Sequence, residues 1–405
     1  MQTRLSEHHR HTDYGQEANR ILRKCVHCGF CNATCPTYQI LGDERDGPRG
    51  RIYQIKNFLE GEDSADQLLT HLDRCLTCRA CETTCPSGVE YHSLLHIGRQ
   101  LAEENTQRSW LEQTKRTVIL TLLPNKKLFG ALMKLARFAR PILPAQIKRK
   151  IPPATQKNDF IPRQHKRFVI LLEGCVQPDL APNINHATRR VLDKLGIATV
   201  SSPLAGCCGA LPYHLSETEK AREMARRNID AWWPMVKDEA ESILINTSGC
   251  TPMVKDYISL FPDDSNYRNK AKRVSDLAID ISEYLAKQDL SRLTTKKPKR
   301  VAFQSPCSLQ HAQQITNLVE PILKQAGFEL TTISDPHLCC GSAGTYSLLQ
   351  PKLSKQLRDN KLQSIEEDDP EIIATANIGC MMHLAEKATV PVKHWIELLD
   401  EKESL

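Results

Sequence analysis

Apolar residues recur every three or four positions in several stretches of the first 110 residues, a spacing that is typical of amphipathic helices. Residues 16–24, 51–59 and about 91–104 show this spacing, and Gly61 follows the second stretch as a stop signal. We therefore predict a mainly helical amino-terminal region.

The pattern changes near residue 167, where short apolar runs begin to alternate with helical stretches. The runs 167–172 and 197–200 and a helix near 217–232 belong to a first series, which ends near residue 250. A second series starts at residue 300 and repeats the same order. Strands that alternate with helices favour parallel sheets. The predicted fold class is therefore α+α/β, with a mainly helical domain followed by a duplicated α/β cysteine-rich domain with parallel sheets.

The predicted boundaries divide the chain into four segments. These are a helical domain (1–110), a connector rich in proline and basic residues (111–166), and two α/β copies (167–290 and 299–405) joined by a polar linker. A chain of 405 residues is long enough for two or three domains, each with its own core.

The net charge of +6 is concentrated in the connector, where residues 115–150 hold ten basic residues and no acidic one. Residues 126–140 plot as an amphipathic helix. One face carries Lys126, Lys134, Arg137 and Arg140, and the opposite face carries Leu128, Leu132, Leu135, Ala136 and Ala139. This helix either lies on an anionic membrane surface or a membrane partner, or packs on the chain's own domains with a solvated basic face. We expect no nucleic-acid partner, because the stretch lacks interleaved aromatic residues.

The cysteine content indicates the compartment. Sixteen cysteines accompany an amino terminus without a secretory signal, and no uncharged apolar run approaches the roughly 18 residues of a spanning helix. This combination favours metal ligation in a reducing compartment over a disulfide scaffold, so we predict a cytoplasmic protein.

Two cysteine runs share the spacing C-x2-C-x2-C-x3-C-P, and the second, which starts at Cys75, lies 50 residues after the first, which starts at Cys25. Bacterial ferredoxins hold [4Fe-4S] clusters with this spacing, and in two-cluster proteins the fourth cysteine ligates the other cluster. Structural zinc usually takes two C-x2-C pairs separated by a longer loop. The predicted ligands are Cys25, Cys28, Cys31 and Cys85 for the first cluster, and Cys75, Cys78, Cys81 and Cys35 for the second.

Each α/β copy adds four cysteines in matching order, among them a vicinal pair followed by glycine. The offsets agree, since 307−175 and 339−207 are both 132 and 380−250 is 130. Whether these residues bind a further iron–sulfur cluster, bind zinc, cycle as a dithiol or are inert is left open by the spacing. The candidates are Cys175, Cys207, Cys208 and Cys250 in the first copy, and Cys307, Cys339, Cys340 and Cys380 in the second.

Several nucleotide motifs are absent. The sequence has no dinucleotide-binding G-x-G-x-x-G after a strand, no phosphate-binding P-loop, and no evident nucleophile and base. A chain with two clusters and no flavin site is expected to pass single electrons onward from a partner that carries the flavin.

The two cysteine runs, the segment 47–53 and the paired Cys-Cys-Gly blocks closely resemble the iron–sulfur subunits of bacterial glycolate oxidases, as do the segments 228–234, 339–346 and 393–398. The resemblance implies a complex with two FAD-containing subunits that oxidise glycolate, and also D-lactate, to 2-oxo acids. Catalysis would belong to those subunits, so no catalytic residue is assigned here. Electrons would pass through this chain toward a quinone, with the protein peripherally associated with the inner membrane.

One departure concerns the wider Cys-Cys-Gly family, which includes heterodisulfide reductases and ends each repeat with C-x-x-C. Here Met253 and His383 replace the last cysteine. This argues against non-cubane clusters and against a thiol–disulfide enzyme. An iron–sulfur subunit of a related lactate or glycerol 3-phosphate dehydrogenase is the other alternative.

Overall fold

The computed structural model describes residues 1–144, 148, 151–153, 160–161, 163–262, 264–294 and 299–400. Up to residue 144 the described chain forms helices and no strand. The α-helices are α1 (Glu7–Arg10), α2 (Asp13–Lys24), α3 (Phe30–Ala33), α4 (Pro36–Leu41), α5 (Pro48–Glu60), α6 (Ala65–Asp73), α7 (Ala80–Thr84), α8 (Tyr91–Glu104), α9 (Trp110–Leu122) and α10 (Lys126–Ala139).

Helices α2, α5, α6 and α8 pack into one bundle that supports the two cysteine loops. Its core includes Leu22, Ile55, Leu72 and Leu94, each 0% exposed. The close packing depends on Gly98 in α8, because a Cβ atom there would lie 2.8 Å from the side chain of Ile55. The predicted helices over 51–59 and 91–104 are both present, and Gly61 ends α5 in the left-handed conformation.

Each cysteine-rich repeat folds around a four-stranded parallel sheet. The strand orders are β2-β1-β3-β4 and β6-β5-β7-β8, so the two sheets share one topology. The strands are β1 (Arg167–Leu172), β2 (Ile197–Val200), β3 (Ile243–Ile245), β4 (Ala278–Asp280), β5 (Arg300–Gln304), β6 (Glu329–Leu330), β7 (Ile372–Thr375) and β8 (Val392–His394). The predicted order of a helical region and then a duplicated parallel α/β region is confirmed.

Helices follow the strands in both repeats, with seven in the described part of the first and six in that of the second. Those of the first repeat are Gln177–Leu180, Pro182–Lys194, Ala210–His214, Thr218–Lys237, Thr251–Lys255, Ser265–Leu277 and Ile281–Leu285. Those of the second are Cys307–Gln310, Val319–Gln325, Tyr346–Leu349, Pro351–Glu366, Ile378–Ala385 and Trp395–Leu398. Short 3-10 turns lie at Glu44–Asp46, Arg140–Ile142 and Tyr257–Leu260.

The sequence pattern did not predict the fourth strand of either sheet. Strands β4 and β8 have only three residues each and run directly into a helix. In both, the backbone N–H of the last strand residue donates to a glutamate three positions on. Asp280 donates to Glu283 at 3.1 Å, and His394 donates to Glu397 at 3.0 Å. Such capping boxes mark helix starts. Because each helix begins directly after three strand residues, the strand is too short for an alternating pattern to be visible in the sequence.

One hydrophobic core spans both repeats, in addition to a smaller cluster within each. It runs from Leu171 and Leu285 in the first repeat to Val301 and Trp395 in the second. The Arg190 guanidinium adds an ion pair across this contact, with Nε 2.8 Å from Oδ2 of Asp400. The linker between the repeats lies partly outside the described residues.

Three of the four basic residues assigned to one face of α10 contact the protein, which neither interpretation of that face expected. Lys126 pairs with Glu173 at 2.9 Å, and the Nε atoms of Arg137 and Arg140 donate to connector carbonyls at 3.2 and 3.0 Å. The expectation that this face meets solvent or a membrane is therefore wrong for these three residues. They face the protein because they satisfy its carbonyls and a carboxylate there.

Apolar side chains of α9 and α10 are exposed to solvent instead. We call this surface the α9–α10 apolar face. It comprises Trp110, Leu111, Val118, Leu128, Leu132, Leu135 and Phe138. Within the described chain, no helix is both long enough and apolar enough to cross a membrane.

Candidate metal centres

The two cysteine runs form loops with the same backbone. His27 and Thr77, at equivalent positions, have φ angles of 58° and 55°, and Gly29 and Arg79 have φ angles of 85° and 63°. Two left-handed residues, separated by one residue, bend each loop around one space. Each loop then enters a short helix, α3 or α7.

Each loop lines its own cavity together with at least one cysteine of the other run. The first cavity is lined by Cys25, Cys28, Cys31 and Cys85, and Cys81 also reaches its wall. The second is lined by Cys35, Cys75, Cys78 and Cys81. The structure thus brings together the two predicted sets, including the crossed fourth cysteine, and we propose them as the two ligand sets.

The cysteines of both cavities suit ligation to iron. Burial raises the pKa of the Cys31 thiol to about 11, and burial raises the pKa of Cys81 well above its usual range. Buried thiolates therefore need positive partners, which the iron of a cluster supplies. Thr77 N–H and the Tyr91 hydroxyl also donate to the sulfur of Cys75, at 3.5 and 3.7 Å.

Nowhere in the described part of the chain do three His, Cys, Asp or Glu side chains converge closely enough to hold a single metal ion. A cube does not require such closeness, because its own iron and sulfide atoms separate the thiolates. All sixteen cysteines are described, and all are free thiols.

A buried ion network that the sequence analysis did not identify lies beside the second cavity. Arg51 is 1% exposed, lines this cavity, and donates through Nε to the carbonyl of His71 at 2.9 Å. Its guanidinium lies 3.6 Å from Asp46, which also contacts His71 at 3.0 Å and Arg74 at 2.8 Å. The only sequence signal for this network was the segment 47–53. A buried positive charge here favours a negatively charged cluster.

The cysteines of both repeats follow the carboxyl ends of parallel strands, where open α/β sheets bind their ligands. Cys307 and Cys339 have sulfur atoms 3.8 Å apart. In each repeat a glycine N–H donates to the first sulfur of the vicinal pair, at 3.5 Å for Cys207 and 3.4 Å for Cys339. The neighbouring thiols Cys175 and Cys208 lower the pKa of Cys207, the direction that favours a thiolate ligand.

All eight repeat cysteines line one cavity of about 620 Å³. The loops after β3 and β7 meet beside it, since the N–H of Ser248 donates to the carbonyl of Ala376 at 3.1 Å. The Ser248 and Ser308 hydroxyls lie 2.8 Å apart. Cys75 and Leu111 of the helical region complete part of the wall. The two repeat sites therefore open into one shared space.

The second cysteine loop packs directly on the second repeat. Leu76 shares an apolar cluster with Cys339 and Tyr346. Burial and the adjacent Cys307 raise the pKa of Cys78. The three cysteine-lined spaces therefore lie in a row, with the first loop at one end.

Met253 and His383 occupy the positions of the missing cysteines. His383 is 8% exposed, and its Nε2 atom lies 3.2 Å from the carbonyl of Ser354. The Ser354 hydroxyl, 3.1 Å from the same nitrogen, donates to the carbonyl of Gly341 at 2.7 Å. Both Ser354 oxygens therefore accept from Nε2, which carries a proton and does not serve as a metal ligand. Met253 is 9% exposed and lies against Gly209.

A histidine cluster, which the sequence analysis did not identify, fills the contact between α8 and the first repeat. The rings of His96 and Tyr213 stack with centroids 4.1 Å apart, and the rings of His92 and His214 lie 6.2 Å apart. Burial lowers the pKa of His96 and of His214 to about 4 each. These imidazoles are neutral at pH 7.

Models of known domain families match two parts of this chain. The 4Fe-4S dicluster domain matches residues 21–89, and the cysteine-rich domain matches residues 169–255 and 301–385. The prediction that the chain is an iron–sulfur protein is confirmed by these matches.

A solved structure, a hypothetical protein from Helicobacter pylori, has the same fold. Its TM-score is 0.57 at 9% identity, and the match covers 97% of this chain and 74% of that one.

Individual related proteins are more specific. The probable glycolate oxidase iron–sulfur subunit of Bacillus subtilis (strain 168) is 28% identical, over 90% of this chain and 88% of its own. Lactate utilization protein A of Bacillus velezensis is 26% identical, over 58% of this chain and 99% of its own. The glycolate oxidase iron–sulfur subunit of Escherichia coli (strain K12) is 51% identical over 99% of both chains. At that identity over nearly its whole length, this chain belongs to the family of glycolate oxidase iron–sulfur subunits.

Proposed function

We propose that this chain is the electron-transfer subunit of a flavin-dependent glycolate dehydrogenase complex. Glycolate would lose two electrons and two protons to FAD on partner subunits, and D-lactate would be oxidised to its 2-oxo acid in the same way. Two [4Fe-4S] clusters, when bound, accept and release single electrons. The observation that carries this proposal is the pairing of eight cysteines into two neighbouring cavities, next to a third cysteine-lined cavity.

The chain's own residues would hold the carriers at short separation. Cys25, Cys28, Cys31 and Cys85 would form the first site, and Cys35, Cys75, Cys78 and Cys81 the second. Pro48 and Tyr91 line both cavities, so little more than one layer of side chains separates them. Onward from the second site, Cys78 lies beside Cys307 of the second repeat.

A quinone is the proposed acceptor, and it would take up two electrons and two protons. The cavity of about 620 Å³ falls within the usual range for small-molecule sites. Its wall includes Leu111, which is itself 54% exposed and belongs to the α9–α10 apolar face. A lipid-borne quinone would therefore enter the cavity from a membrane surface beside Leu111, past charged side chains such as Arg108 and Arg116 in the same wall.

The expected location follows from this route. The α9–α10 apolar face, together with the exposed Lys127 and Lys134, would bind the cytoplasmic surface of the inner membrane peripherally. The partners would be the two FAD-containing subunits of the complex. A preference for lactate is the alternative that the match to lactate utilization protein A favours.

Iron and acid-labile sulfide analysis of the anaerobically purified chain tests the proposal. Two cubes predict about 8 iron atoms per chain, and further clusters in the repeats predict about 12–16. Fewer than about 4 iron atoms, with stoichiometric zinc in their place, would contradict an electron-transfer role.

A further inference from the structure

The two cysteine loops share one backbone, but their tips meet different surroundings. Val26 and Leu76 are equivalent, 50 residues apart (76−26), yet Val26 is 67% exposed and Leu76 is 5% exposed. The pair Phe30 and Ala80 (80−30) differs in the same sense, at 61% and 1%. At the second pair the chain therefore places a large apolar side chain where the loop is open and a small one where it is covered.

The structure shows what covers the second tip. Leu76 packs with Cys339, Tyr346 and Leu357 of the second repeat, and Cys78 lies beside Cys307. The second loop therefore shows what kind of surface such a loop can bind. In the second copy, its apolar tip docks on a domain whose cysteines line the next site.

The first tip lacks such a cover within the described residues. Among the sixteen cysteines, all of which are described, Cys28 alone is exposed, and it stands between Val26 and Phe30. Tyr53, 48% exposed, extends the apolar surface, since its ring lies 5.9 Å from that of His27. Apolar side chains grouped around one exposed position mark a protein interaction site.

We propose that the loop Val26–Phe30, together with Tyr53, is the docking surface for the flavin-bearing partner subunit, so that electrons enter this chain at the first cysteine set. The inference rests on the proposed function. Two successive one-electron transfers across this surface would return the partner's flavin, reduced by one glycolate, to its oxidised form. The flavin's two protons would leave from the partner. The cysteine sets deeper in the chain would then receive the electrons in order.

The test compares Val26→Glu, Phe30→Glu and Tyr53→Glu in the full-length chain, with Leu348→Glu as the matched control. Leu348 is 52% exposed but lies on the second repeat. Two quantities are measured with the purified flavoprotein subunits under anaerobic conditions. These are the dissociation constant, by sedimentation, and the rate at which glycolate bleaches the cluster absorbance.

We expect each of the three variants to bind about tenfold more weakly or worse and to be reduced correspondingly slowly by glycolate. Dithionite should reduce them to the same extent as the wild type, with an unchanged electron paramagnetic resonance spectrum. Leu348→Glu should bind and be reduced like the wild type. If a substitution inside the cysteine loop lowers the iron content, Tyr53→Glu decides the question, because Tyr53 lies outside both loops.

The outcomes separate the two proposals. Wild-type affinity and reduction rates in all three variants would overturn the docking surface and leave the proposed function intact. If glycolate and the flavoprotein subunits fail to reduce even the wild-type chain, the proposed function itself fails. Self-association of the wild type that Phe30→Glu abolishes, with flavoprotein binding unaffected, would assign the surface to a second copy of this chain.

Discussion

The hydroxyl of Thr83 lies 2.9 Å from Nδ1 of His311, so a side-chain hydrogen bond joins the second cysteine loop to the second repeat. The other ring nitrogen, Nε2, lies 3.0 Å from the carbonyl of His337, which can only accept. Burial lowers the pKa of His311, which favours the neutral ring. The ring therefore carries its proton on Nε2, and the Thr83 hydroxyl is shared between Nδ1 and the carbonyl of Ala80, 3.0 Å away. The Tyr346 hydroxyl adds a second link by donating to the carbonyl of Arg74 at 3.2 Å.

This contact predicts that the same substitution affects stability differently in the two loops. Leu76→Glu buries a charge against the second repeat and should lower the free energy of unfolding by about 3 kcal/mol or more. Val26→Glu, the same change at the equivalent exposed position, should alter it by no more than about 0.5 kcal/mol. Anaerobic urea titration of both variants measures the difference. Equal losses would mean that the loop does not depend on the second repeat for its packing.

The second prediction concerns the buried guanidinium beside the second cavity. Arg51→Met removes the charge but keeps much of the volume, and it leaves Asp46 with only Arg74 and His71 as partners. We expect the free energy of unfolding to fall by about 3 kcal/mol, the lower end for a broken buried ion pair. The midpoint potential of one cluster should also fall, because a positive charge beside it is lost.

Arg45→Met is the matched control for Arg51→Met. The Arg45 side chain is 65% exposed and pairs with Asp43. Its replacement should leave the free energy of unfolding close to that of the wild type, because a solvent-exposed ion pair contributes little to stability. Potentiometric titration followed by electron paramagnetic resonance measures the potentials. Unshifted potentials in Arg51→Met would show that this charge does not act on a cluster.

The crossed ligand assignment follows from which cysteines line each cavity. Cys35→Ser should remove the cluster whose potential responds to Arg51→Met, because Cys35 and Arg51 line the same cavity. Cys85→Ser should remove the other cluster, and each variant should lose about 4 iron atoms. If Cys85→Ser abolishes the Arg51-sensitive signal, each run binds its own cluster with all four cysteines.

The sequence was sufficient for the architecture and for the identity of the cysteines, because both depend on local periodicity and fixed spacing. It predicted α8 to the residue and the parallel order of both repeats. It did not predict Arg51 or His96 as partners of a site, since their roles depend on which helices pack together. The orientation of α10 was wrong for a related reason. A helical projection shows that two faces differ, but not which one finds carbonyls such as that of Ile151 to bind.

The histidine cluster predicts a loss of stability in mild acid. An ordinary histidine has a pKa near 6.5, whereas burial lowers the pKa of His96 and His214 to about 4. As the pH falls below about 6.5, the unfolded chain binds protons at these rings and the folded chain does not. The free energy of unfolding therefore falls, by about 1.4 kcal/mol for each ring between about pH 7.5 and pH 5.5.

His96→Gln isolates one of these contributions. It should weaken the stack on Tyr213 at every pH, but its stability should fall less steeply with acid than that of the wild type. His11→Gln is the control, since the His11 side chain is 78% exposed, and its slope should match that of the wild type. Urea titrations across this pH range measure the slopes. Parallel slopes for His96→Gln and the wild type would show that His96 takes up its proton without unfolding.

The last prediction concerns the α9–α10 apolar face and membranes. Leu135 and Phe138 are 65% and 86% exposed, and burying such side chains in a lipid interface is favourable by about 1.5–3 kcal/mol each at most. The double variant Leu135→Glu, Phe138→Glu should therefore reduce co-sedimentation with anionic phosphatidylglycerol vesicles by about tenfold or more. Leu348→Glu should co-sediment like the wild type. Lys134→Glu should mainly weaken binding at low salt, because an exposed lysine attracts the lipid charge at long range. Wild-type binding by the double variant would show that this face does not bind lipid, and a quinone would then have to reach the repeat cysteines from another surface.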